Sequence, residues 1–280
     1  MKNNLKTAVI LAAIGGLMIM VGGAIGGSGG AALGMGIGLV FVGGSYWFSD
    51  KLAIRSARAV EVGEAQMPRY HAIVRDLCQR ADMPMPRLYV SPDPQPNAFA
   101  TGRSPAHAAV CVNQGILDVL TWEELQGVLA HEISHVRNRD ILISSVAAAV
   151  AMGITFLARM AMWGAMFGGG GRDRNDNLLG TLALAVLAPI AAAFLQMALS
   201  RNREYEADRR GARLLGTGEP LARALEKLDR GVRAVPSHVD PAQASAYIAN
   251  PFSGRKGAWM STHPPMEDRI ARLRSGEWQH

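Results

Sequence analysis

Four stretches of this chain run without a single charge: residues 7–25, 31–48, 141–158 and 178–199. A helix needs roughly 20 such residues to cross the hydrocarbon of a bilayer, and each stretch approaches that length. Gly26, Gly27, Ser28, Gly29 and Gly30 separate the first two, which predicts a short turn and a helical hairpin. Pro189 falls inside the fourth stretch, where a kink is tolerated if neighbouring helices or water satisfy the freed carbonyl. Small residues dominate all four and allow close helix approach in lipid. The chain has 280 residues, 49% of them apolar, only 6% aromatic, and 31 glycines. That balance suits one soluble domain plus several spans better than two soluble domains.

Positive charge orients the spans. Lys2, Lys6, Lys51, Arg55 and Arg58 flank the first hairpin while its tip carries none, so both ends are expected to face the cytoplasm. The polar segments, about 50–140 and 200–280, follow on that side. The loop 168–177 then lies outside, against the grain of its Arg172 and Arg174. A net charge of +6 fits this topology and contact with anionic lipid; no nucleic-acid motif accompanies it. Residues 1–25 also have the outline of a signal peptide, but the second apolar stretch that follows at once favours a retained hairpin. The glycine-rich stretch lacks the Gly-Lys-Ser/Thr ending of a phosphate loop. Cys78 and Cys111 stand in no metal-binding spacing and are expected to be buried small hydrophobes in a reducing compartment.

The chemistry concentrates in His131-Glu132-Ile133-Ser134-His135. Two imidazoles four apart on a helix diverge by only about 40°, so they can converge on one ion, with Glu132 on the adjacent flank as general base. Thr121 and Glu124 read as a capping box, and Leu125, Val128, Leu129 and Ile133 follow at helical spacing, which predicts a helix over 121–136. Gly127 costs that helix about 1 kcal/mol relative to alanine. The competing reading is a pair of surface histidines. A third ligand would decide the matter, because catalytic zinc takes three protein ligands and leaves a position to water.

Candidates for that ligand lie in the run 200–208, where Glu204 and Asp208 are four apart and Glu206 is set on another face. Spacing alone leaves Glu204 and Glu206 both open. Asp208 is placed to accept a proton from the far nitrogen of a liganding histidine. The bland alternative is an exposed helix with Glu–Arg pairs across its turns.

His-Glu-Ile-Ser-His-Val-Arg-Asn-Arg-Asp at 131–140, together with Ser-Arg-Asn-Arg-Glu-Tyr-Glu-Ala-Asp at 200–208, resembles the HtpX family of bacterial membrane-embedded zinc metallopeptidases. Pro96-Asn97-Ala98-Phe99-Ala100-Thr101-Gly102 and Thr262-His263-Pro264-Pro265 extend the likeness over nearly the whole chain. The resemblance implies a multi-pass protein of the bacterial cytoplasmic (inner) membrane, with a gluzincin-like domain facing the cytoplasm. It implies one zinc ion on His131, His135 and Glu204, with Asp208 behind the ligands. It also places Asn97, Ala98 and Phe99 at the substrate rim, where the bare residues allow an ordinary loop, and brings His263 and Arg269 to the active site as donors to the carbonyl oxygen. A capped surface helix with Arg269 in a simple ion pair is the alternative. The stress-response and quality-control role rests on the resemblance alone.

The expected architecture is thus mainly α with a small β-sheet: a transmembrane hairpin (1–49), a first catalytic part (50–140), a second transmembrane hairpin (141–200) and a second catalytic part (201–280). Residues 62–81 read as helix, and 87–90 and 108–112 as strands, the latter expected at the edge where an extended substrate pairs. The tract 235–261, low in apolar periodicity, reads as a flap near the cleft. His71, His107, His238 and His280 lack partners at telling spacings. His135 and Glu204 lie six and five residues from spans, about 7–9 Å if helical, so the ion belongs just above the cytoplasmic face. That position suits membrane-protein substrates that reach the cleft from the bilayer. The alternatives are a specific processing peptidase resembling the prenyl-protein peptidases, and a noncatalytic metal scaffold, which would have no need of Glu132.

Overall fold

The computed structural model describes residues 2–142, 201–234, 248 and 264–279. The third and fourth apolar stretches, apart from Ile141 and Leu142, lie outside them, as do His263 and all of the tract 235–261 except Ile248.

Helix α1, Lys2–Ser56, contains the first two apolar stretches and doubles back on itself. Residues 16 apart in a straight helix would be separated by about 24 Å. Yet a Cβ added at Gly34 would meet the Met18 carbonyl, and one at Gly38 would fall 3.3 Å from the Met18 Cβ. The reversal coincides with Gly27, whose φ of +59° is a conformation that glycine adopts without steric penalty. The hairpin predicted from the glycine run is therefore present. Ile19, Met20, Leu33, Met35, Ile37, Leu39 and Val40 point outward from it. Among the described residues, no helix is long and apolar enough to cross a membrane.

After α1 the chain builds a four-stranded sheet of order β1-β2-β4-β3, from Val60–Glu61, Arg87–Ser91, Ala98–Gly102 (β3) and Ala108–Asn113 (β4). β4 runs parallel to β2 and antiparallel to β3. Strand 108–112, expected at an edge, is thus interior, and its outer neighbour β3 is an edge strand. The reason lies in the side chains: β4 is buried at every position, as a strand covered on both faces must be. Side-chain alternation divides the sheet between two cores. Leu88, Ala98, Val110 and Val112 face the main core, whereas Tyr89, Phe99, Ala109 and Cys111 pack against Ala53 and Ile54 at the end of α1 and Ala57 and Ala59 just beyond it. Arg87 pairs with Asp50 at 2.7 Å, and Ser91 Oγ donates to the Ala57 carbonyl at 2.6 Å, tying hairpin to sheet.

Helix α2 is Pro68–Ala81 rather than the expected 62–81. Proline lacks an amide proton and is accommodated in a helix's first turn. Upstream, Val60 and Glu61 pair with β2, and residues 63–67 form a turn in which the Gln66 and Met67 amides both donate to the Gly63 carbonyl. A short α3, Gln114–Val119, leads to α4, Trp122–Arg137. Among the described residues, three further helices follow: α5, Arg201–Leu215, α6, Glu219–Ala234, and α7, Met266–Ser275. Helix α4 is central, with α2, α5 and α6 against it. The close approach of α6 requires Gly127, where a Cβ would lie 2.4 Å from the Leu221 amide nitrogen.

Candidate metal centre

Helix α4 starts where the sequence predicts. Thr121 Oγ1 accepts from the Glu124 amide at 3.3 Å, and Glu124 Oε2 accepts from the Thr121 amide at 2.8 Å, so the capping box is complete. Glu124 also holds Lys227 of α6 at 2.8 Å. The apolar face of α4, with Leu125, Val128, Leu129 and Ile133, enters the main core. This fixes the helix rotation and turns His131 and His135 toward α5. Gly211 of α5 makes that crossing close: a Cβ there would stand 3.0 Å from the His131 amide nitrogen.

The two Nε2 atoms of His131 and His135 lie 3.1 Å apart, and the Glu204 carboxylate completes a triangle, 3.7 Å from His131 Nε2 and 3.6 Å from His135 Nε2. One ligand atom from each residue falls within 4.8 Å of the others. Tetrahedral zinc with bonds of about 2.0–2.1 Å sets its ligand atoms roughly 3.3 Å apart, so the donor set and its spacing fit such an ion. Helix α5 chooses between the two glutamates. Glu204 is buried facing the histidines, whereas Glu206 turns to Arg210 at 2.8 Å and Arg209 at 3.7 Å.

Behind each histidine stands a carboxylate. His131 Nδ1 lies 2.8 Å from Asp208 Oδ1, a close approach bent away from the ideal hydrogen-bond line. His135 Nδ1 lies 3.4 Å from Asp140 Oδ2, which also accepts from Asn138 Nδ2 at 2.9 Å. Sequence reasoning overlooked Asp140, five residues beyond His135. Only the break of α4, marked by the left-handed φ of +59° at Arg139, brings it back to the ring.

Four buried carboxyl groups, Glu132, Asp140, Glu204 and Asp208, lie around the two rings. Burial holds His131 below the usual imidazole range, against the opposing pull of Asp208. For His135 burial acts downward too, but Asp140, Glu204 and Glu132 together outweigh it and lift the ring to about 9. Glu132 is pushed up to about 7, chiefly by burial, with Glu204 adding and His135, the Ala100 amide and Arg269 opposing. A carboxyl near neutrality is matched to taking up and returning a proton.

Two further expectations meet a different geometry. Arg269, expected to reach the carbonyl oxygen of a substrate, is wholly buried instead. Its Nε and Nη2 donate to Asp208 at 2.8 and 2.7 Å, and Nη1 donates to the Ile248 carbonyl at 3.1 Å. Burial would lower its pKa, but the Asp208 carboxylate outweighs this and raises it. The carboxylate of Asp208 captures the fork because no water competes for it. At the rim, the side chains of Asn97, Ala98 and Phe99 are also buried, and strand alternation sends Ala98 and Phe99 into opposite cores. What β3 turns away from β4 is backbone. The Asn97 carbonyl accepts from the Asn113 amide, which sets residues 97, 99 and 101 toward β4 and leaves the peptide groups of Ala98 and Ala100 outward.

A helix carrying two converging imidazoles and a buried glutamate, completed by a carboxylate from a second helix, defines a metallopeptidase. The pattern of peptidase family M48 matches residues 64–277, and the chain belongs to that family. Its relatives include the "Protease HtpX homolog" of Syntrophobacter fumaroxidans, 49% identical over 98% of this chain and 100% of that protein. That of Pseudarthrobacter chlorophenolicus is 50% identical over 97% of this chain and 95% of the relative. The chain is accordingly an HtpX-type member. Among solved structures, Ste24p of S. mikatae shares the fold, with a TM-score of 0.52 at 18% identity, over 97% of this chain and 65% of that one.

Proposed function

We infer that this chain is a zinc-dependent endopeptidase of the bacterial cytoplasmic membrane that cleaves membrane proteins, misfolded or damaged ones included, at the cytoplasmic face. The observation that carries the reading is the convergence of His131 Nε2, His135 Nε2 and Glu204 beside the buried carboxyl of Glu132. His131, His135 and Glu204 would hold the ion. When bound, it supplies Lewis acidity toward the scissile carbonyl and acidifies water. Asp208 and Asp140 orient the two rings and strengthen them as donors. Glu132 removes a proton from the attacking water and delivers it to the departing amine. The outward peptide groups of β3 hold an extended substrate by backbone pairing, with the Ala100 amide beside Glu132.

The membrane reading is supported by the hairpin, whose outward residues are apolar, and by Trp47 and Phe48 at its sheet-proximal end, over which Arg103 and Lys51 lie at 4.6 and 5.5 Å. Aromatic and basic side chains together are the composition of a membrane interface. Four spans, the second hairpin among them, and a donor role for His263 belong to this reading as proposals.

The test compares purified, detergent-solubilised protein with Glu132→Gln, both loaded with zinc, on an unfolded membrane-protein substrate. The variant should cleave about 10²–10⁴-fold more slowly, the scale of general acid–base catalysis. Equal cleavage defeats the assignment. Cleavage confined to prenylated carboxyl-terminal peptides would favour the processing-peptidase reading instead.

A further inference from the structure

Ile248 is the one described residue between 234 and 264, and both polar groups of its backbone are engaged near the metal centre. Its amide donates to Asn97 Oδ1 at 3.0 Å, and its carbonyl accepts from Arg269 Nη1 at 3.1 Å. Its side chain is buried in the main core. Both partners are shut off from water, Asn97 at 1% and Arg269 at 0% exposure, so neither bond has solvent as a substitute.

Each bond leads on to chemistry. Asn97 immediately precedes β3, and its carbonyl is held by the Asn113 amide at 2.9 Å. Arg269 grips Asp208, which lies 2.8 Å from His131 Nδ1. One backbone residue therefore joins the head of the edge strand to the support of a metal ligand, along Asn97, Ile248, Arg269, Asp208 and His131. The hydrogen bonds of this path span 151, 21 and 61 residues in sequence, so only the folded state assembles it. If Ile248 is not held, Arg269 Nη1 loses a buried acceptor, and a charged group in that position moves to find another. Any such movement passes through the fork to Asp208 and so to the ring of His131.

We propose that Asn97 is a positioning residue of the metal centre, acting through the backbone of Ile248 to hold Arg269, Asp208 and the His131 ring in register. The proposal rests on the reading of His131, His135 and Glu204 as metal ligands. It replaces substrate contact by the Asn97 side chain with a structural link between the substrate-pairing strand and the ion. Under it, substrate that shifts β3 alters the metal geometry, and the ion in turn steadies β3.

The experiment uses the full chain in detergent with Co²⁺ as probe, reading affinity by chelator competition and geometry by the visible absorption of the bound ion. Asn97→Leu keeps the shape and removes the acceptor; Asn97→Asp keeps an oxygen in the same place; Arg269→Lys breaks the link from the other side. Asn97→Leu should weaken Co²⁺ binding at least about fivefold, the low end of coupling between linked sites, and change the spectrum. Asn97→Asp should restore both. The double variant Asn97→Leu/Arg269→Lys should bind no more weakly than Arg269→Lys alone, because both sever one path. Wild-type affinity and spectrum in Asn97→Leu overturn the proposal, as does a double variant whose loss is the product of the single losses. Should Asn97→Leu fail to fold, Asn97→Ser, with a hydroxyl too short to reach the Ile248 amide, takes its place with the same outcomes. A wild-type chain that takes up no Co²⁺ overturns the metal reading and this proposal together.

Discussion

Arg269 and Asp208 face one another as fork and carboxylate, with both nitrogen–oxygen contacts under 3 Å (2.8 and 2.7 Å) and both residues almost wholly out of water. Removing one member of such a pair leaves the other as an unpaired buried charge, which costs about 3–5 kcal/mol. Arg269→Met should therefore lose about that much stability in a urea titration. Its zinc affinity should fall about 10–100-fold, as is usual when the partner of a ligating histidine is disturbed. Unchanged stability would show the pair to be incidental.

Glu204 and Glu206 separate cleanly on α5. Glu204→Ala should abolish stoichiometric zinc, while Glu206→Ala should retain it and lose no more than about 1 kcal/mol, because its arginine partners are partly exposed. Metal analysis after gel filtration decides; zinc lost only from Glu206→Ala would reverse the ligand assignment.

Gly127 is costly to α4 by propensity and needed by its packing. Gly127→Ala gains about 1 kcal/mol of helix propensity but places a methyl 2.4 Å from backbone of Leu221. Overpacking against backbone costs about 1–3 kcal/mol, so the net change should be destabilising, or at best neutral. A raised melting temperature would mean that α6 moves away freely.

Cys78 and Cys111 are free and buried, and burial pushes their thiols up to about 11 and about 12. The native protein should resist thiol reagents at pH 8 and yield both thiols only in denaturant. The sign of the linkage follows. Unfolded thiols ionise near 9 while native ones stay protonated, so the stability they contribute is intact below that pH and is lost as pH rises toward 11–12. Rapid labelling of either thiol at pH 8 without unfolding would contradict this burial.

Local patterns were legible without coordinates. The capping box at Thr121 and Glu124, the shared face of His131 and His135, and the reversal in the glycine run each depend on residues within a turn or two of one another, where helix geometry and φ preference act directly. Tertiary packing settled the rest. Spacing left Glu204 and Glu206 open, and the rotation of α5 on α4 turns Glu204 toward the histidines; the diversion of Arg269 came from a carboxylate 61 residues away, and the edge position of β3 from pairing between strands. Sequence spacing specifies which side chains share an element's face. Which face meets which is set by the burial of distant apolar surfaces and by buried charges finding the partners that water no longer supplies.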